Sequence, residues 1–192
     1  LIWPAQPTWA LKPEPCAENP VMSEKRTPAA ALEEFEKRQA VARAMGAAEK
    51  LQRRQEAGRL DARARLDRLF DAGSFSEVGL FTYSGDDPAR APADGKIAGY
   101  GRIGGRQAAA VSNDFTVMGA SSTIINGRKI GHMKRVAAQR GLPLVFLGES
   151  SGARIPDTMG ATGMGASGSD PVQYMRLRET PWAAAILGPC FG

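Results

Sequence analysis

Cysteine and histidine are nearly missing from this sequence: Cys16, Cys190 and His132 are all it contains. The two cysteines lie far apart, so they offer neither a disulfide framework nor a metal-ligand cluster, a usage that suits a reducing cytoplasm. His132 stands among Lys129, Lys134 and Arg135, reads as a surface or capping residue, and cannot build a zinc site alone. Long hydrophobic runs are absent as well. None approaches the ~20 residues a membrane helix needs, and no basic patch leads into an apolar stretch at the N-terminus, as a secretory signal would require. A cytoplasmic location without metal or membrane contact is therefore expected.

What is present is ordinary for a globular protein: 192 residues, 43% of them hydrophobic and 23% charged, enough for one sizeable core plus an extension. The net charge of +5 raises the possibility of nucleic acid. Its distribution argues against that. Residues 23–69 carry 12 basic and 8 acidic side chains, a net of +4, and the remaining 13 basic and 12 acidic give +1. The excess belongs to one mixed-sign stretch with Phe35 as its one aromatic side chain, which reads as a solvated helix face.

Residues 1–22 hold Pro4, Pro7, Pro13, Pro15 and Pro20 and read as a disordered tail, which Met22 would separate from the protein proper if it were the start. Residues 23–70 read as a helical arm. Thr27 before Pro28 suits an N-cap with proline at the first helical position, and thinly spaced Leu32, Phe35, Ala42, Met45 and Leu51 give one long amphipathic helix. Gly58 separates it from a second helix, Ala62 to Phe70, whose Leu66, Leu69 and Phe70 share a face. An arm this polar is expected to pack on a partner, or on another part of a larger protein, rather than on its own domain.

Residues 71–192 then change to α/β character. Phe75 to Phe81 is a strand candidate. Lys96 to Ile103 and Gln107 to Ser112 flank Gly104-Gly105, a hairpin signal because both glycines tolerate positive φ. Lys96 and Arg102 are expected on that hairpin's wet face. A helix over 122–140 carries Ile125, Ile130, Met133 and Ala137 at helical spacing and stops at Gly141. Leu142 to Leu147 reads as a buried parallel strand, followed by the loop Gly148-Glu149-Ser150-Ser151-Gly152. Residues 160–169 read as a flexible glycine-rich loop, Asp170-Pro171 as the start of a short helix, and Ala183 to Leu187 as a second buried strand. Gly99-Tyr100-Gly101-Arg102-Ile103-Gly104 spells G-x-G-x-x-G, but inside a hairpin it is no dinucleotide fingerprint.

The loop after Leu147 sits where open α/β folds place their sites, beyond the carboxyl end of a strand. Ser151 and Gly152 are small enough for a ligand oxygen to approach the main chain, and successive N–H groups can converge there on developing negative charge. By itself a Ser-Ser-Gly loop is more often a tight turn leaving a strand.

Four blocks make the reading specific. Residues 57–75 resemble the "GKLTARERIDLLLDEGSF" segment of carboxyltransferase β subunits of biotin-dependent acyl-CoA carboxylases. Residues 115–121 resemble their "FTVFGGS", residues 149–154 their "DSGGAR" and residues 187–190 their "LGPC". The blocks stand in the family's order over about residues 27–192.

The resemblance implies an α/β, ClpP/crotonase-like superhelix of repeated ββα units, the N-terminal portion of a carboxyltransferase domain preceded by the helical arm. It implies transfer of carboxylate from carboxybiotin, on a separate carrier, to the α-carbon of a short acyl-CoA of the propionyl-, acetyl- or methylcrotonoyl-CoA carboxylase type, through an enolate. Backbone N–H groups of Ser151 and Gly152 would hold the enolate oxygen, and Gly119, Ala120 and Ser121, with Ala153 and Arg154, would contact CoA. For Arg154 the choice lies between a carboxylate and CoA phosphates. Met159, Met164 and Met175 either line an acyl pocket or simply pack. The implied partners are acyl-CoA, a biotin carboxylase or biotin carboxyl carrier subunit, and a second copy of the chain, with no metal and no side-chain nucleophile.

This sequence departs from the family pattern with Glu149 for aspartate, Ser151 for the first glycine, and a divergent helix after Ser121. The second crotonase-like domain, with biotin's own oxyanion donors, is not in these residues, so unaided turnover is not expected. A biotin-dependent decarboxylase, which needs the same enolate site, and a non-catalytic assembly fragment docking through residues 28–70 are the alternatives.

Overall fold

A computed structural model of the chain describes residues 27–85, 87–160 and 180–191. The tail at 1–22, the helix expected at Asp170-Pro171, Met164, Met175 and most of the glycine-rich loop lie outside the described residues. The compact division of the chain falls after Phe35, with Glu36–Gly192 forming the larger unit.

The arm is three helices, α1 (Pro28–Arg43), α2 (Ala48–Glu56) and α3 (Ala62–Leu69). Thr27 caps α1 as expected, its Oγ1 accepting from the Ala30 N–H at 3.3 Å. The single long helix expected up to Gly58 is interrupted at Met45, where φ is 60°. The cause lies 70 residues away. Gly46 N–H donates to Thr116 Oγ1 at 3.0 Å, and a Cβ on Gly46 would stand 2.3 Å from the Thr116 carbonyl oxygen. The chain must unwind to make that contact, and only glycine fits it.

The expectation that the arm packs on a partner fails for α3. Asp61 caps it, accepting from Ala64 N–H at 2.8 Å, and its Leu66 and the following Phe70 are 1% and 5% exposed. They pack with Ala62, Ile97, Ala108, Ala110 and Leu147 against one face of a sheet.

That sheet has five strands in chain order: β1 (Ser76–Val78), β2 (Lys96–Ile103), β3 (Arg106–Asn113), β4 (Leu144–Ser150) and β5 (Trp182–Cys190). β1, β2 and β3 pair antiparallel, and β4 and β5 continue in parallel. Gly104 and Gly105 turn the hairpin with φ of 56° and 78°, as the two-glycine signal requires. β1 is only a fragment of the strand expected over 75–81. Gly99 and Gly101 serve packing rather than a cofactor: a Cβ on Gly99 would meet the Phe75 ring, and one on Gly101 the Phe70 ring, each under 3 Å away. Those two rings stack with centroids 5.1 Å apart.

Helix α4 (Ile124–Arg140) is the crossover from β3 to the parallel β4. Thr123 and Asn126 form a reciprocal capping box at its start, and Gly141 closes it in the left-handed conformation. Its Met133 and Ala137 pack on Ala98, Ala109, Val111 and Leu144. Successive β3 residues thus alternate between α3 and α4, which is why β3 is apolar on both faces. His132 faces outward on α4. β2, β3 and α4 make one ββα unit, with β4 next in the chain. No helix among the described residues is long and apolar enough to cross a membrane.

Candidate functional site

β4 is longer than the apolar run suggests. It extends through Ser150, so Gly148, Glu149 and Ser150 belong to the strand and only 151–154 form the loop. Glu149 does not face the site either. It is fully buried beneath it, held by Arg54 and Arg65.

A second segment runs beside the loop. After β3 the chain turns sharply at Met118, Gly119 and Ala120, with φ of 46°, 63° and 49°. Left-handed conformations at non-glycine residues cost on the order of 1–3 kcal/mol each and persist only where the surroundings impose them. Here they do. Lys96 Nζ donates to the Ala120 carbonyl at 2.8 Å, and Ser150 Oγ donates to the same oxygen at 3.4 Å. Asn126 Nδ2 donates to the Ser121 carbonyl at 2.9 Å.

The two segments are tied main chain to main chain. Ser151 N–H donates to Gly119 O at 2.9 Å, Ser122 N–H to Gly152 O at 2.8 Å, and Arg154 N–H to Ser122 O at 2.8 Å. The Ser151 side chain covers Gly119: a Cβ there would stand 2.5 Å from Ser151 Oγ. The structure therefore brings Gly119, Ala120, Ser121, Ser151, Gly152, Ala153 and Arg154 together. Local patterns gave no indication of this contact between segments 30 residues apart.

The expected donors already have acceptors inside the protein. Ser151 N–H is bonded to Gly119, and Gly152 N–H donates to Ser150 Oγ at 3.0 Å. Gly152 has a φ of 97°, a conformation that requires glycine. Among the described residues the Ala153 N–H has no acceptor. Cys190, at the end of β5, and Phe191 just after it flank the site: Phe191 N–H donates to Ser150 O at 3.0 Å and Cys190 is opposite Ser150.

Arg154 is 8% exposed and pairs with carboxylates. Its Nη1 reaches Asp94 Oδ1 at 3.0 Å and Asp157 Oδ2 at 3.5 Å, while Nε donates to Ser121 Oγ at 3.1 Å. Its Nη2 is buried with no acceptor among the described residues. Asp94, fully buried, also accepts a short hydrogen bond from Thr123 Oγ1. Met159 is 67% exposed, so it lines no pocket within the described residues.

Lys96 overturns its expected place on a wet face. It is 2% exposed, and burial, reinforced by the Arg154 cation against the pull of Asp94 and Cys190, lowers its pKa to about 8. Arg102 is exposed, as expected. Lys129 on α4 is a further buried lysine, donating to the Ala93 and Lys96 carbonyls. Burial lowers its pKa to about 8 as well, with Glu77 and Asp94 opposing. Neither lysine was distinguishable in the sequence, because the carbonyls they hold belong to distant loops.

Comparison with known proteins places this arrangement. The family model "Carboxyl transferase domain" matches residues 53–192. The propionyl-CoA carboxylase beta chain of Cereibacter sphaeroides is 36% identical over 168 residues, 84% of this chain and 32% of that protein. The methylmalonyl-CoA decarboxylase subunit alpha of Propionigenium modestum is 34% identical over 155 residues, 77% of this chain and 29% of that protein. Among solved structures, the transcarboxylase 12S hexamer with methylmalonyl-coenzyme A and methylmalonic acid bound aligns with a TM-score of 0.65 at 34% identity, covering 74% of this chain and 29% of that one. The chain spans about a third of the length of the curated relatives it matches. With most of its length matched by the family model and folded as a crotonase-like α/β unit, the chain belongs to the carboxyl transferase domain family of biotin-dependent acyl-CoA carboxylases.

Proposed function

We propose that this chain supplies the acyl-CoA half of a biotin-dependent carboxyltransferase site, in which the thioester oxygen of a short acyl-CoA is held by the N–H groups of Ser151 and Gly152. The observation that carries the reading is the loop at the end of β4 lashed to the 119–123 segment. Both N–H groups now donate to neutral oxygens, the Gly119 carbonyl and the Ser150 hydroxyl. A bound neutral thioester oxygen takes both donors at little net cost, one neutral acceptor replacing another, while an enolate oxygen, making charge-assisted bonds roughly twice as strong, holds them far more firmly. Ser150 needs only to rotate its hydroxyl to release Gly152. The donors thus favour the charged species over the ground state, which is the differential binding that lowers a barrier. Gly119, Ala120 and Ser121 line the approach for CoA, and the Ala153 N–H and the buried Nη2 of Arg154, both without an acceptor among the described residues, are further donors for an anionic group.

Biotin supplies the carboxyl group when a carrier brings it. Among the described residues there is one loop of this kind, and the thioester claims its donors, so these residues do not fit biotin as well. Carboxylation and decarboxylation make the same demand on the loop. The packing of Leu66 and Phe70 in the core supports a site scaffold over a docking fragment. Biotin carboxylase or carrier subunits, and a second copy of the chain, are the proposed partners. The test is the infrared stretch of propionyl-CoA carrying a ¹³C-labelled thioester carbonyl. Bound to this chain, the band shifts to lower frequency; binding without a shift would dismiss the polarising loop.

A further inference from the structure

We infer that Glu149 is a positioning residue for the 151–153 loop, and that α2 and α3 belong to the site through it. The geometry stands alone; only its consequence for ligand binding rests on the acyl-thioester reading.

The Glu149 carboxylate is 0% exposed. A buried carboxylate without partners costs several kcal/mol, and here two forked guanidinium groups close on it from two helices. Arg54 Nη2 on α2 stands 2.9 Å from Oε1 and 2.8 Å from Oε2. Arg65 on α3 places Nη1 3.2 Å from Oε2 and Nη2 3.1 Å from Oε1. The third side is β5, where a Cβ on Gly188 would stand 2.4 Å from Oε1. The main chain is held too, since Asn113 Nδ2 on β3 donates to Glu149 O at 2.7 Å.

The clamp holds an irregularity in the sheet. Gly148 is opposite Ile186, but Ser150 is opposite Cys190, so the pairing of β4 with β5 shifts register across Glu149. Such breaks bend a strand and re-aim the residues beyond them. Beyond this one come Ser150, whose hydroxyl bears on Gly152 N–H, and then the loop itself. Arg54 and Arg65 lie 95 and 84 residues before Glu149, so the arm fixes the angle at which the loop leaves the sheet.

Amide hydrogen exchange on the whole chain tests this, comparing wild type with E149Q and R54Q. E149Q, an isostere that breaks the paired geometry, is expected to speed exchange at the hydrogen-bonded amides of Ser151 and Gly152 by roughly tenfold or more, with Ala109 and Ala110 of β3 unchanged. R54Q, which leaves a one-to-one Arg65–Glu149 pair and covers the case of an E149Q chain that does not fold, gives a smaller rise at the same amides. Equal acceleration in loop and β3 would reduce the clamp to general stability and overturn the inference, as would an unchanged loop. Methylmalonyl-CoA titration of the same samples is expected to weaken roughly tenfold in E149Q. A wild-type chain that ignores methylmalonyl-CoA would count against the proposed function, while the exchange pattern would still decide the role of the clamp.

Discussion

Raising the pH from 7 to 9 is expected to stabilise this protein, because two lysines are buried charged. Lys96 and Lys129 have folded-state pKa values of about 8 against an ordinary 10.5, burial being the main cause. Between those values the unfolded chain binds more protons than the folded one, so stability rises with pH. Below about 8 the full penalty of burying the charge is present, and it is relieved as pH climbs toward 10.5. For each lysine the two pKa values give about 1.4 kcal/mol between pH 7 and pH 9, so roughly 3 kcal/mol for the pair. With urea slopes of ~1–3 kcal/mol/M, the unfolding midpoint moves up by about a molar or more. Burial also raises Asp114 above the ordinary carboxylate value and Tyr100 above its ordinary 10.0. Urea titrations at the two pH values check it, with K129M as comparison. That variant lacks one titrating group, so its midpoint should climb about half as far, whatever its absolute stability. A flat or falling midpoint in the wild type, or an undiminished climb in K129M, would refute the argument.

Three other perturbations bear on packing at the core and the loop. L66A empties a side chain that is 1% exposed between α3 and the sheet and should cost about 2–5 kcal/mol, read by urea unfolding. G119A places a Cβ at a φ of 63° and 2.5 Å from Ser151 Oγ, so methylmalonyl-CoA binding should fall while the circular dichroism of the sheet persists. S151G removes the obstructing side chain, and the double variant should recover part of that binding; a double variant as impaired as G119A would show that the clash is not the cause.

Local chemistry was readable along the chain wherever a signal and its effect were neighbours. Gly104-Gly105 announced its hairpin, and Gly141 the end of α4. The apolar run at 142–147 announced the parallel strand that begins at Leu144. The features that escaped are non-local. Lys96 alternates with apolar residues like any wet-face lysine, and only the Ala120 carbonyl, from a loop 24 residues on, shows why it turns inward. Met45 and Gly46 read as helix until Thr116 is brought beside them. Glu149 stands in a motif that suggests a site residue, yet two arginines of the arm draw it below the loop. The site itself was half legible. The small residues at 119–121 and 151–154 marked two segments, while the hydrogen bonds that join them, and that occupy the very N–H groups of interest, come only from the fold.

Central to the proposed chemistry is that the backbone N–H groups of Ser151 and Gly152 exchange their internal acceptors for a thioester oxygen. The infrared difference spectrum of carbonyl-labelled propionyl-CoA tests it most directly. Binding is predicted to displace the carbonyl band to lower frequency, with the displacement diminished in G119A. A bound ligand whose carbonyl absorbs where it does in water would contradict it.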